Sequence, residues 1–192
     1  FIALAPPFAW DSLTYQMEVP HYYLDAGQII ANPTNHYFGL PQHLNILFGV
    51  VMALFGSDTA AAPLHWYTGF LGLLATAGLI RRHADKATAY LSVVLFLSGY
   101  SIWLLFGRAY VDLAMLLYGA CALIALIEWN RSKSARWLLL AAAFCGFGLS
   151  TKYTAGVFLI AVGIFVLIRQ PRRMIQNGLL MAGVVLLCYA PW

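Results

Sequence analysis

Five long apolar runs, separated by short basic clusters, dominate this sequence. A helix that crosses a bilayer needs about 20 predominantly apolar residues. Only 9% of the residues are charged, whereas soluble globular domains carry about 25%. The pattern excludes a disordered chain, a nucleic-acid-binding protein and an ordinary soluble enzyme. It predicts an all-α, polytopic bundle of transmembrane helices over the runs Thr59–Ile80, Ala87–Gly107, Ala109–Ile127, Trp137–Ile168 and Met174–Trp192.

The basic residues predict how these runs cross the membrane. Cytoplasmic loops carry the excess of Lys and Arg, so the basic clusters should share one side. They do so only if 87–127 and 137–168 are each a hairpin of two crossings. The predicted crossings are then 59–80, 87–107, 109–127, 137–151, 153–168 and 174–192. Nine of the eleven Lys and Arg residues form the clusters Arg81, Arg82 and Lys86; Arg131, Lys133 and Arg136; and Arg169, Arg172 and Arg173.

Residues 11–58 are predicted to lie on the outer side of a cell membrane, after the end of a transmembrane helix. Residues 1–10 are interpreted as the end of a first transmembrane helix in a piece of a longer chain. Residues 11–58 form an outer loop, with helical stretches such as Ser12–Ala26 before Gly27. The short apolar stretch Leu44–Phe55 is interpreted as a helix on the outer surface, and a short spanning helix is the alternative. The loop contains the acids Asp11, Glu18, Asp25 and Asp58.

The two remaining basic residues, Arg108 and Lys152, then fall at outer turns. Arg108 and Asp112 are four residues apart, so they could pair if this turn is helical. An ion pair that only closes the hairpin and a functional role stay equally open. Ionisable groups at membrane depth usually face a cavity or a partner.

Lys152 lies between predicted crossings of about 15 residues, which reach only ~23 Å across a ~30 Å hydrocarbon core. The turn at 150–152 is therefore predicted to be recessed below the outer surface. Irregular backbone at that depth lines a cavity or is buried in protein. An ammonium group there would favour an anion such as phosphate, and a Lys that extends from a helix end to the interface is the alternative.

Asp11 follows Trp10 where the chain leaves the membrane. Its carboxylate could accept a proton from a hydroxyl, but spacing alone favours an N-cap of the helix that begins near Ser12. The histidines show no metal-binding spacing, so no metal site is predicted. Interfacial hydrogen bonding is the expected role of the outer-loop residues His21, His36 and His43, and His65 marks the start of the first long run.

Read together, three segments resemble the GT-C superfamily of membrane glycosyltransferases, nearest to the protein O-mannosyltransferase and aminoarabinose-transferase type. Residues 9–15 (AWDSLTY), continuing to Gly27, are similar to the first outer loop, in which an essential Asp follows the first helix. Residues 108–113 (RAYVDL) are similar to the second outer loop, and 146–154 (GFGLSTKYT) to a glycine-rich stretch that ends in Ser and Lys. The likeness covers nearly the whole chain in topology, and the family also implies juxtamembrane helices in the first loop.

The resemblance implies transfer of a hexose or pentose from a polyprenyl-phosphate donor to an outer acceptor, with inversion at the anomeric carbon. The lipid-linked sugar is the donor substrate, and the resemblance specifies no cofactor. Asp11 would be the general base, and Asp112 would orient Arg108 or contact the acceptor. Arg108 and Lys152 would neutralise the donor phosphate, and Tyr15, Glu18 and His43 would support the acceptor. Ser12 stands where the mannosyltransferases have a second acid, and their His-Pro-Pro run is missing around 40–43.

Two other classes of membrane protein also fit the apolar pattern. Charges at membrane depth mark substrate paths in transporters and lipid flippases, although those proteins often contain repeats and this sequence shows none. A structural membrane subunit would leave the predicted recess at Lys152 without a reason. Membrane lipid and a lipid-linked sugar are the predicted partners. The sugar, the acceptor, a metal requirement and the oligomeric state are not encoded in any motif.

Overall fold

The structure, a computed structural model, describes residues 2–32 and 34–191. This part of the chain is helical and contains no β-strand, as the apolar runs predict. Short 3₁₀ turns join several of the helices. The α-helices are α1 (Glu18–Ala26), α2 (His43–Phe55), α3 (Ala61–His83), α4 (Lys86–Leu97), α5 (Tyr100–Phe106), α6 (Asp112–Ser132), α7 (Ala135–Leu149), α8 (Gly156–Arg169) and α9 (Met174–Tyr189).

The chain divides into two compact units, Phe1–Leu117 and Tyr118–Trp192. The boundary falls inside α6, whose first residues belong to the first unit. This division differs from the predicted segments 1–10, 11–58 and 59–192, which were drawn from membrane topology and stay predictions.

The outer-loop segment is helical where the sequence predicts it. A π-helical turn over Ser12–Gln16 leads into α1. That helix ends at Gly27, whose φ of +64° is a left-handed conformation that glycine adopts without steric cost. The segment before Gly27 is therefore confirmed as helical. Helix α2 packs on α1 and α3, but its position relative to a membrane stays a prediction.

The core of the first unit joins α3, α5 and the start of α6. Leu73, Phe106 and Leu113 are buried together there, and side chains of α4 pack around them. At Gly69 in α3 an added Cβ would lie 2.7 Å from the Leu113 side chain. The absence of a side chain at Gly69 thus allows α3 to approach the start of α6 closely.

The run 87–107, predicted as one crossing, is divided into α4 and α5. The two helices are bent by 82° at the intervening Ser98 and Gly99. Ser98 Oγ donates a hydrogen bond to Leu95 O at 2.7 Å, and Gly99 has an extended backbone before α5. Neither residue interrupts the hydropathy of the run, which explains why the bend was not predicted.

The core of the second unit joins α6, α7, α8 and α9. Trp129 is its largest fully buried side chain, and α7 packs on both α8 and α9. The turn predicted at 150–152 is present, since α7 ends at Leu149 and α8 begins at Gly156. The depth of this turn in a membrane stays a prediction. The other fully or largely buried core residues include Leu138, Ala141, Cys145, Val162, Val166, Met181 and Val185.

One helix in the described part of the chain, α6, is both long and apolar enough to cross a membrane. The number rises to three if α4 with α5, and residues 153–169 with 171–189, each count as one bent span. Helix α3 has 23 residues, but its composition falls short of the same criterion. Six crossings therefore stay a prediction. Many apolar side chains on α4, α8 and α9 are exposed, as expected for surfaces that face lipid.

Candidate active site

In the first unit, the segment that was predicted to be an outer loop is hydrogen-bonded to the segment that precedes α6. Ser12 is buried, and its Oγ donates a hydrogen bond of 3.1 Å to the carbonyl oxygen of Ala109. These residues are 97 positions apart in the chain. The bond brings two of the three resembling segments, 9–15 and 108–113, into contact. Ser12, which stands where the mannosyltransferases have a second acid, thus has a structural role in this chain.

Tyr15 lies within the electrostatic reach of both predicted catalytic carboxylates. Burial raises the pKa of the Tyr15 phenol, and the nearby charges of Asp11 and Asp112 raise it further. The ring stacks on Tyr37, with ring centroids 4.4 Å apart. The phenol is protonated at neutral pH, so it can donate a hydrogen bond. The charges of Asp11 and Asp112, from two segments distant in the chain, thus both act on the Tyr15 phenol.

The N-cap alternative for Asp11 is wrong. Its backbone is helical, with φ −61° and ψ −36°, and its side chain makes no capping hydrogen bond in the described part of the chain. An N-cap residue normally has an extended backbone and accepts a bond from the second or third residue after it. The carboxylate of Asp11, which is partly exposed, thus does not cap the start of a helix.

Arg108 lies in the non-helical stretch before α6, with two aromatic rings beside its guanidinium. Its Cζ is 5.9 Å from the ring centroid of Phe8 and 5.7 Å from that of Tyr110, within the range of cation–π attraction. The Nε atom is buried and has no hydrogen-bond acceptor among the described residues.

Residues 108–111 are not helical, so the helical spacing proposed for Arg108 and Asp112 is absent. Asp112 itself is the first residue of α6, where a negative charge is favourable.

His65 is the site residue that sequence reasoning missed. Its side chain is completely buried at the start of α3, and both ring nitrogens contact the segment before and at the start of α6. Nδ1 lies 2.7 Å from Arg108 O, and Nε2 accepts a hydrogen bond of 3.0 Å from the backbone N–H of Leu113. The available signal was a histidine at the edge of an apolar run. Its partners are 43 and 48 positions away, beyond any local pattern.

Lys152 lies in the second unit, in an extended conformation after α7. The turn before it is fixed by the buried Ser150, whose Oγ is 2.8 Å from both Gly146 O and Cys188 O. Thr151, also buried, donates from Oγ1 to Phe147 O at 2.8 Å. Two hydroxyl groups therefore hold the backbone that carries Lys152, whose own side chain is half-buried.

The structure places the remaining predicted support residues at helix starts. Glu18 is exposed at the beginning of α1, where its negative charge interacts favourably with the helix dipole. His43 is the first residue of α2, and burial lowers the pKa of its ring below the ordinary value. In the part of the chain that the structure covers, no three His, Cys, Asp or Glu side chains are close enough to hold a metal ion.

Comparison with known proteins gives one match. Residues 41–192 match the family described as dolichyl-phosphate-mannose-protein mannosyltransferase. The match includes Arg108, Asp112 and Lys152, whereas Asp11 and Tyr15 precede it. No curated protein and no solved structure matches the chain.

Proposed function

Because the chain belongs to the dolichyl-phosphate-mannose-protein mannosyltransferase family, we propose that it transfers a hexose from a polyprenyl-phosphate carrier to an acceptor on the outer face of the membrane. The family is one of membrane glycosyltransferases. Its description names a lipid-linked donor, which agrees with the apolar helices of this chain. The acceptor is a hydroxyl or amine group.

One observation carries the assignment of the reaction to the first unit. The hydrogen bond from Ser12 to Ala109 joins the loop that contains Asp11 to the segment that contains Arg108 and Asp112. Transfer of a sugar needs a base for the acceptor and a positive charge for the leaving phosphate. The two carboxylates and the guanidinium group that could fill these roles thus come from segments joined by one buried hydrogen bond.

The proposed base is Asp11. Its carboxylate accepts the proton of the acceptor group while the acceptor atom attacks the anomeric carbon of the donor. The bond between that carbon and the phosphate oxygen breaks, and the electron pair leaves with the polyprenyl phosphate. Attack from the side opposite the leaving group inverts the anomeric configuration. The proposal is consistent with a partly exposed carboxylate that caps no helix.

Arg108 is proposed to bind the leaving phosphate. Its guanidinium has a buried Nε without an acceptor among the described residues, and a phosphate oxygen is a strong acceptor for such a donor. The rings of Phe8 and Tyr110 limit the orientations open to the guanidinium. Tyr15, whose phenol is influenced by the charges of both Asp11 and Asp112, is proposed to orient the acceptor. Lys152, in the second unit, is proposed independently as an anion-binding residue.

A transfer assay on the full-length protein in nanodiscs tests the proposal. The probes are a short-chain polyprenyl phosphate mannose as donor and a serine-rich peptide or a membrane glycolipid as acceptor. We expect mannose to appear on one acceptor together with free polyprenyl phosphate in equal amount. If the protein instead moves the donor across the membrane of lipid vesicles and transfers no mannose to an acceptor, it is a transporter and the proposal is wrong.

A further inference from the structure

His65 has a bonding pattern that a histidine buried only for packing does not need. Its two ring nitrogens contact backbone groups on either side of Asp112 in sequence, Arg108 O and Leu113 N–H. The N–H of Leu113 is among the first four of α6, which have no acceptor within the helix. The N-terminal end of α6 is therefore capped by His65 of α3 and not by a residue that directly precedes α6.

The partners fix the protonation state of the ring. A carbonyl oxygen can only accept, so Nδ1 carries the hydrogen that is donated to Arg108 O. The Leu113 N–H can only donate, so Nε2 presents its lone pair. The ring is therefore neutral and cannot be turned over without the loss of both bonds. It acts as a rigid spacer of fixed direction between two points of the backbone.

We infer that His65 is a positioning residue for Arg108, an inference that rests on the function proposed above. The bond to Arg108 O sets the backbone from which the guanidinium projects between Phe8 and Tyr110. The bond from Leu113 fixes the other end of the same short segment. Residues 108–111 are not helical, and they are held by Ser12 at Ala109 O and by a turn in which Tyr110 N–H also bonds Arg108 O. Loss of the ring would remove the side-chain bond to Arg108 O, so the guanidinium would be held less firmly in its position.

The test is a double-mutant cycle between His65 and Arg108, measured as turnover in the transfer assay described above. His65→Leu should lower turnover about 10- to 100-fold, the usual effect of misplacing a site group. In an Arg108→Met background the same substitution should change turnover less than about twofold, because coupled residues are not additive. Thr76→Val, which removes a hydroxyl further along α3 that bonds only to Gly72 O of the same helix, is the matched control and should leave turnover unchanged.

His65→Asn provides a second variant should His65→Leu fail to fold. Its amide can donate from the position of Nδ1, so it should recover most of the turnover by restoring the bond to Arg108 O. Equal losses with and without Arg108 would show a purely structural role and overturn the inference, as would an Arg108→Met protein with wild-type turnover. A wild-type protein that transfers no sugar would overturn the proposed function itself, and the positioning role with it.

Discussion

Arg169 donates a hydrogen bond from Nε to the Oδ1 atom of Asn130, across 2.9 Å. The same oxygen accepts a bond of 2.8 Å from Lys133 Nζ. The end of α8 is thereby joined to the end of α6 within the second unit. Two of the three basic clusters, the one around Lys133 and the one around Arg169, meet at one end of this unit. Their common location agrees with the side assigned to both by their charge.

Cysteine probes can test the side assigned to these clusters. In a full-length protein whose native cysteines are replaced by alanine, Ser132→Cys and Gln170→Cys should react with a membrane-impermeant thiol reagent only from the cytoplasm, because basic loops are retained there. Gly39→Cys and Ser57→Cys, which flank α2, should both react only from outside. Labelling of these two from opposite sides would mean that α2 crosses the membrane.

Substitution of Asp11 tests the proposed base. Asp11→Asn keeps the size of the side chain but removes the group that accepts the proton. Turnover in the transfer assay should fall about 10²–10⁴-fold, the usual contribution of general-base catalysis. Asp25→Asn, an exposed acid of the same loop, is the control and should have no effect. A normal rate for Asp11→Asn would assign the base to another group.

Substitution of Lys152 tests whether this turn binds anions. Lys152→Met keeps the apolar stem and removes the charge, so affinity for a short-chain polyprenyl phosphate should fall by about 1.5–3 kcal/mol, the range for a hydrogen bond to a charged group. Lys86→Met, at an exposed position in the first basic cluster, should not change it. The measurement is a binding titration in nanodiscs. An unchanged affinity for Lys152→Met, with the fold intact, would leave Lys152 as a residue that extends to the interface.

Gly146 should be intolerant of a side chain. A Cβ at this position would lie 2.7 Å from the Cβ of Cys188 and 3.3 Å from the backbone of Val185. Gly146→Ala should therefore force α7 and α9 apart and lower the free energy of unfolding by about 1–3 kcal/mol, the usual cost of overpacking. Gly163→Ala, where an added Cβ meets nothing within 4 Å, should be neutral or slightly stabilising. Thermal unfolding in one detergent would measure both, and equal stabilities would contradict this packing.

The half-buried ring of His43 should make the fold sensitive to acid. Burial lowers the pKa of His43 from its ordinary value of 6.5, so the folded chain keeps the ring neutral at a pH where the unfolded chain takes up a proton. Its contribution is present above pH 6.5 and is lost as the pH falls below it. His43→Gln should therefore lose less stability than the wild type between about pH 7.5 and about pH 5.5. Equal losses in the two proteins would show that other histidines cause the acid effect.

The features that sequence analysis predicted are those with a local cause. Gly27 ends a helix because a left-handed residue is needed there, and the turn at 150–152 lies at Lys152, the one charged residue in the run 137–168. The basic clusters fall at helix ends because charges interrupt apolar runs. Each of these signals is contained within a few neighbouring residues.

The features that were missed depend on distant partners or on weak local signals. The role of His65 follows from atoms 43 and 48 positions away, and that of Ser12 from an atom 97 positions away, which no periodicity reveals. The bend at Ser98 and Gly99 lies inside an uncharged run, where hydropathy does not distinguish one helix from two. The family match adds the reaction class, which no single motif specifies.

The bend between α4 and α5 has a consequence for the depth of Arg108. Helix α4 has 12 residues, which advance the chain by ~18 Å, and the hydrocarbon core is ~30 Å thick. If Lys86 lies at the inner boundary, as the basic clusters predict, and α4 runs along the membrane normal, the 82° bend before α5 comes well before the outer headgroups. Arg108 would then be ~10 Å inside the hydrocarbon, where a guanidinium is costly unless an anion reaches it. In a thinner bilayer, a lipid headgroup would thus have a shorter distance to descend to that charge.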